Sequence, residues 1–334
     1  MPRHRIGIVG LSHDHVWSLI EQWKGVPDAR IVGVAEHRPI CVKRLKERHP
    51  DLTLYSTVEE LLDKGKPTAI QLGGTNAEHA PAAEKAAERG IHILIEKPMA
   101  ATLDEADRII RACEGRVKYL VNWSPTWRPY VQLMGKLIED GRIGRVFQIK
   151  QRGGHAARFV GSQLWFFDRR ENGGGALVDF CGYGANLCRW WLGYPQAVTG
   201  LGGTYEKDIE VEDNAVLLLD YGNAMGICEA TWTQVGGHPY QTPIVWGTEG
   251  VIRPGENGVI LQSENNPKGD LIPAEPLGPE WQHSPAHFVA YLEGRVTELH
   301  PLIDPHRNRD VQEVMTAGLK AISERRTVSL PLES

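Results

Sequence analysis

The sequence predicts an α/β protein in two parts: a doubly wound parallel sheet over residues 1–122, then an α+β domain over 123–334 on an open, mostly antiparallel sheet. Three observations carry this. Short apolar runs alternate with helical ones up to residue 122, the pattern of right-handed β-α-β crossovers with both sheet faces covered. Beyond it comes a Gly- and aromatic-rich stretch, followed by several apolar runs joined by tight turns. The chain has 334 residues, 41% of them hydrophobic, which suits two cores better than one.

In the first part, strands are expected at Arg5–Val9, Ala29–Glu36, Thr68–Leu72, Ile91–Glu96 and Tyr119–Asn122. Pro39 suits a first helical position, and Thr57 with Glu60, like Thr102 with Glu105, has capping-box spacing. Gly90 closes the Ala-rich helix Ala77–Arg89. In the second part a helix, Tyr130–Asp140, stops at Gly141, and Arg145–Arg152 reads as a strand. A longer helix, Ala176–Leu192, follows the triple glycine Gly173–Gly175. Strands run from Ala197 to about Gln262 with turns such as Tyr221–Gly222–Asn223, Glu264–Glu280 is expected as Pro-rich loop, and two helices start near Ser284 and Asp304–Pro305.

Composition narrows the function. A net charge of −5, from 37 basic and 42 acidic residues mixed along the chain, leaves no electrostatic footprint for nucleic acid. No apolar run reaches the roughly 18 residues of a membrane span, and Ile6–Val9 is too short for the apolar core of a signal peptide. The five cysteines (Cys41, Cys113, Cys181, Cys188, Cys228) are scattered and form no C-x-x-C pair. Free thiols in a reducing cytoplasm are therefore expected.

The segment R-I-G-I-V-G-L-S-H-D-H joins the first strand to the first helix, where a dinucleotide-binding domain carries its glycine fingerprint. Only Gly10 keeps the pattern; Ser12 stands at the second glycine position and His15 at the third. Glu36 ends the second strand, 26 residues beyond Gly10, against a usual separation of about 20. An acid there accepts the ribose hydroxyls of NAD and repels the 2′-phosphate of NADP. Arg38, two residues on, is the kind of residue that accommodates that phosphate, so NAD is favoured and NADP stays open. His13-Asp14-His15 invites a metal reading, but no further ligands cluster nearby in sequence. No metal is expected, and His13 and His15 are assigned to the helix start and the cofactor.

The run G-G-T-N-A-E-H, followed by I-H-I-L-I-E-K-P-M-A, and the block G-G-G-A-L-V-D-F-C-G-Y-G-A-N resemble the Gfo/Idh/MocA oxidoreductases, the family of glucose–fructose oxidoreductase and inositol dehydrogenase. Its Glu-Lys-Pro marker stands as Glu96-Lys97-Pro98 and its Asn-x-x-His as Asn76 and His79; the usual Thr-Pro before that Asn is replaced by Gly74-Thr75. In the second block Asp179 fills the Asp position, Tyr183 the His/Tyr position and Asn186 the last; this tyrosine form resembles the glucose–fructose oxidoreductase and dihydrodiol dehydrogenase side of the family. The resemblance implies a Rossmann domain with Gly74, Thr75, Asn76, His79, Glu96 and Lys97 near the cofactor. It also implies an oxidoreductase of sugars, cyclic polyols or related compounds that forms a homodimer or homotetramer.

The residues make chemical sense unaided. On a helix, Asp179, Tyr183 and Asn186 fall at i, i+4 and i+7 and share a face. A phenol is a poor base at neutral pH, and a neighbouring ammonium such as Lys97 favours the phenolate. Tyr183 is expected to exchange the proton of the substrate hydroxyl. Lys97 would tune it and hold the alkoxide, and Asp179 would bind the hydroxyl or orient Lys97. Eight of the ten tryptophans (Trp123, Trp127, Trp165, Trp190, Trp191, Trp232, Trp246, Trp281) fall in the second part, and two or three are expected to line a sugar pocket with Arg128, Arg152, Arg158 or His238. Two other readings keep the same residues: a redox-neutral lyase, glycosidase or epimerase with tightly bound NAD, and a non-catalytic sugar or nucleotide sensor.

Overall fold

Residues 3–236 and 242–333 are described in a computed structural model; His238 lies outside them. The chain divides into two compact units. The first comprises Met1–Trp123, Phe159–Gly173 and Gly278–His306, the second Ser124–Arg158, Gly174–Leu277 and Arg307–Ser334.

In the first unit the apolar runs form β1 (His4–Val9), β2 (Ala29–Ala35), β3 (Leu54–Tyr55), β4 (Ala69–Leu72), β5 (His92–Glu96) and β6 (Tyr119–Asn122). All pairings are parallel, in the order β3-β2-β1-β4-β5-β6. Ile6, Ile8, Val34, Ile70, Ile93 and Ile95 are wholly buried, each stabilising the fold by about 2 kcal/mol. Continuous apolar runs, rather than alternating ones, are what a sheet covered on both faces requires. The order reverses between β1 and β4, so the ends of these strands open a crevice at a topological switch point.

Helices cover the sheet where the caps predict them. Pro39 opens Pro39–Arg48, and Thr102 with Glu105 makes the reciprocal capping box of Leu103–Cys113. Thr57 does cap Glu60, but only a single turn follows before a wide turn at Leu61–Gly65. The Ala-rich segment gives a short tight turn, Asn76–Glu78, then His79–Glu88, and Gly90 stops it at φ +69°. The two later segments are tied into this unit: Trp165 Nε1 donates to the Ser12 carbonyl at 3.1 Å, and Val121 N to that of Ile303 at 3.1 Å.

The second unit holds nine strands: β7 (Val146–Gly154), β8 (Ala197–Gly203), β9 (Asn214–Asp220), β10 (Met225–Thr231), β11 (Ile244–Gly247), β12 (Val251–Gly255), β13 (Gly258–Ser263), β14 (Asn266–Pro273) and β15 (Val328–Ser329). Their order is β14-β13-β12-β11-β7-β10-β9-β8-β15, and among the described residues only β7 with β10 is parallel. The strand β14 corrects the expectation of loop at Glu264–Glu280. Its prolines mislead because an edge strand tolerates them. Helix Gly182–Trp191 packs on β7 and β10, closely because Gly184 has no Cβ to strike Cys228. The other face leaves Leu201, Val216, Leu218 and Met225 exposed.

Candidate functional site

The first-unit site is built on the loop after β1. Gly10 has φ +76°, and a Cβ there would collide with the backbone of Gly74 at the end of β4. His13 N donates to the Gly73 carbonyl at 3.1 Å. Asp14 does not cap helix His15–Lys24 because it turns to Arg44 at 3.0 Å, and His13 Nδ1 accepts His15 N at 3.3 Å. A glycine turn of close backbone approach leading into a helix N-terminus is what a dinucleotide's diphosphate needs, so the residues fit that cofactor. Beside the loop, Gly10, Glu36, Arg38, Thr57, Val58 and Pro81 line a cavity of about 160 Å³.

Glu36 is 3% exposed and turned onto its own backbone. One oxygen accepts Leu11 N at 2.8 Å; the other accepts His37 N and Arg38 N, each at 2.8 Å. Arg38 reaches Glu36 at 3.3 Å and Glu78 at 2.7 Å. Glu78 in turn accepts Thr75 N at 2.9 Å, while Thr75 Oγ1 donates to Glu171 at 2.6 Å.

Asn76 and His79 are tied to neighbouring segments through one side of each side chain. Asn76 is buried and donates to Asn172 Oδ1 at 2.8 Å. His79 Nδ1 lies 3.2 Å from the Met99 carbonyl, bracing the segment after Pro98. Burial lowers its pKa against opposing hydrogen bonds and carboxylates. Lys97, 3% exposed, follows directly on β5. Glu96, 1% exposed, accepts Asn122 Nδ2 at 2.9 Å and lies 3.0 Å from His15 Nδ1. Burial, then the charges of His15, Lys97 and His79, push the His13 pKa well down; its ring packs on Trp165 and Phe166. No further ligand clusters near His13 and His15 in sequence, but the fold brings one from a distance. Glu96, 81 residues away from His15, joins them, with one ligand atom from each within 4.8 Å of the others.

In the second unit the expected continuous helix is not regular: Leu177–Cys181 is a wide turn, and the α-helix starts at Gly182. Glu212, which sequence reading missed, anchors this start by accepting Gly175 N at 2.6 Å and Leu177 N at 3.2 Å. The wide turn changes the register assumed for a shared face. Phe180 and Tyr183 line a cavity of about 450 Å³ with Ser124, Arg128, Tyr130 and Arg152. Asp179, 6% exposed, accepts Trp232 Nε1 at 3.1 Å and has His155 Nε2 at 3.8 Å. Asn186 is buried. Neither lines that cavity, nor does Arg158. None of the eight tryptophans lines it either, against expectation: Trp123 and Trp232 are wholly buried in the cores, and Trp281 packs on His287. Arg152 is paired with Glu229 at 3.2 Å.

A glycine turn and a helix N-terminus, set at the strand-order reversal of a parallel sheet, define a dinucleotide-binding protein. Residues 4–122 match the oxidoreductase family with NAD-binding Rossmann fold, and residues 131–253 match the GFO/IDH/MocA C-terminal domain. The chain belongs to the GFO/IDH/MocA oxidoreductase family. It is 24% identical to levoglucosan dehydrogenase of Pseudarthrobacter phenanthrenivorans, the match covering 88% of this chain and 85% of that one. It is 25% identical to D-apiose dehydrogenase of Rhizobium rhizogenes, over 80% and 78% respectively. In fold it is similar to an Agrobacterium radiobacter oxidoreductase solved with NAD+, L-tartaric acid and magnesium, with a TM-score of 0.81, 20% identity and 98% of each chain covered. The first domain is thus an NAD-binding Rossmann domain, and among the described residues no helix is long and apolar enough to cross a membrane.

Proposed function

We propose that this chain is an NAD-dependent dehydrogenase acting on a hydroxyl of a sugar or cyclic polyol. The carrying observation is that Tyr183 sits on the wall of a polar cavity of about 450 Å³ in the C-terminal domain, a volume suited to one sugar ring. The named activities of the levoglucosan and apiose dehydrogenases support the substrate class.

When bound, the nicotinamide supplies the hydride acceptor for the carbinol carbon. Tyr183 takes the proton of the substrate hydroxyl, with Lys97 as the cation that favours the phenolate and holds the developing alkoxide. Asp179, fixed by Trp232, binds that hydroxyl or orients Lys97. Gly10, Ser12, His13 and His15 hold the diphosphate, and Glu36 the ribose. Arg38, already engaged by Glu36 and Glu78, favours NAD over NADP. The exposed apolar face of β8, β9 and β10 supports a homo-oligomer. Five buried free thiols support a reducing, cytoplasmic setting.

The test is a screen of sugars and polyols for NADH formation, repeated with Tyr183→Phe and Lys97→Ala. The expected loss of turnover is about 10²- to 10⁴-fold for each. Full turnover in both variants would overturn the catalytic assignment, and sugar conversion without net NADH would overturn the dehydrogenase one.

A further inference from the structure

The loop proposed to hold the diphosphate also assembles a donor set, two of its histidines meeting a carboxylate that the reading above gives no role. His13 and His15 flank Asp14 at the start of helix His15–Lys24, and Glu96 ends β5. One ligand atom from each lies within 4.8 Å of the other two. His15 Nδ1 and Glu96 Oε1 are 3.0 Å apart. On a tetrahedral zinc ion, with metal–ligand bonds of about 2.0–2.1 Å, neighbouring ligand atoms stand about 3.3 Å apart. The pair is close to that spacing already. His15, whose side chain is 46% exposed, is free to rotate and close the rest.

Two further features suit a metal. The second oxygen of Glu96 is fixed by Asn122 Nδ2 at 2.9 Å, as outer partners orient a ligating carboxylate. His13 is 2% exposed, and its Nε2 has no hydrogen-bond partner among the described residues. Its Nδ1 is held only by a 3.3 Å contact from His15 N. The ring therefore has a nitrogen to offer, and Trp165 and Phe166 hold it in place. Asp14 is not part of the set, since Arg44 takes it at the surface.

We propose that His13, His15 and Glu96 form a binding site for a zinc-type divalent transition metal ion, with the fourth position left for water or a ligand oxygen. Two imidazoles and one carboxylate are a known donor set for zinc with an open position. To ligate, the His15 nitrogen and the Glu96 oxygen each present a lone pair to the ion, which replaces the hydrogen bond between them. The proposal does not depend on the substrate class.

Protein without a histidine tag, stripped by chelator, is titrated with cobalt and with zinc in the absence of cofactor. Visible absorption follows the cobalt, and calorimetry and thermal unfolding follow the zinc. One equivalent per chain with micromolar or tighter affinity is expected. His15→Ala, at a half-exposed position that the fold tolerates, weakens binding at least ten-fold. Asn122→Ala weakens it by roughly ten- to hundred-fold, while Asp14→Ala leaves it unchanged. No binding to the stripped wild type overturns the site. So does equal binding by the wild type and His15→Ala.

Discussion

Arg38 donates to Glu78 at 2.7 Å while its other terminal nitrogen reaches Glu36 at 3.3 Å, so the guanidinium on the wall of the cavity of about 160 Å³ is spoken for by two carboxylates. Hydrogen bonding and charge from Glu78 and Glu36 raise the Arg38 pKa, outweighing the burial that opposes them. A 2′-phosphate entering here gains one partly neutralised cation and meets two anions.

Releasing Arg38 should therefore shift the cofactor preference. Glu78→Gln keeps an acceptor for Thr75 N and removes the charge that holds the guanidinium. The dissociation constant for NADP is expected to fall about ten-fold relative to that for NAD, equivalent to about 1.4 kcal/mol. Titration of both cofactors into wild type and variant checks this, and an unchanged ratio would show that Arg38 takes no part in discrimination.

Gly10→Ala tests the cradle. The residue sits at φ +76°, a conformation that costs a side chain about 1–2 kcal/mol, and the new Cβ would collide with Gly74. Overpacking adds about 1–3 kcal/mol. The variant is expected to unfold at lower temperature and to lose the stabilisation that NAD gives the wild type. A variant that still responds fully to NAD would move the diphosphate elsewhere.

Trp232→Phe separates the positioning of Asp179 from the pocket itself. Trp232 is wholly buried and its indole N–H reaches Asp179 at 3.1 Å, but it does not line the cavity beside Tyr183. Losing a buried donor to a carboxylate costs about 1–3 kcal/mol. Turnover is expected to drop about ten-fold with the affinity for NAD unchanged. A drop in stability alone would make the pair structural.

The sequence makes most of the first sheet legible because its strands are buried on both faces and its helices carry capping residues: five strands, the Pro39 start, the Thr102–Glu105 box and the Gly90 stop all appear as read. Misses arise where tertiary context overrides local pattern. Proline at Pro267 and Pro273 argues for loop until β14 proves to be an edge. The helical period through Asp179 and Tyr183 fails because a wide turn interrupts it, held by Glu212 from 35 residues or more away. Tryptophans suggest a sugar-binding wall, but none of the eight lines the cavity beside Tyr183, and Trp123, Trp165 and Trp232 are buried. Glu96 joins His13 and His15 only through strand pairing, which nothing local to the S-H-D-H loop announces.

Acid should weaken the first unit through its buried histidines. Burial pushes the His287 imidazole down to about 4, against the opposing Glu280 carbonyl and carboxylate; burial also lowers His49, His92 and His283. A histidine whose pKa is depressed in the folded state takes its proton first in the unfolded chain. Its contribution is therefore complete above the unfolded value near 6.5 and is lost as pH falls from there towards 4. For His287 the full shift corresponds to about 3 kcal/mol, of which about 2 kcal/mol is gone by pH 5. Carboxylates held low by partners, such as Glu84 beside Arg108, lose their contribution only from about pH 4.5 downwards. Denaturant unfolding at pH 7.5 and pH 5 thus separates the histidines from these low-held carboxylates. His287→Asn, which keeps a donor for the Glu280 carbonyl now 3.2 Å from Nδ1, should shrink the difference between the two pH values by about 2 kcal/mol. An unchanged difference would place the acid sensitivity in other groups.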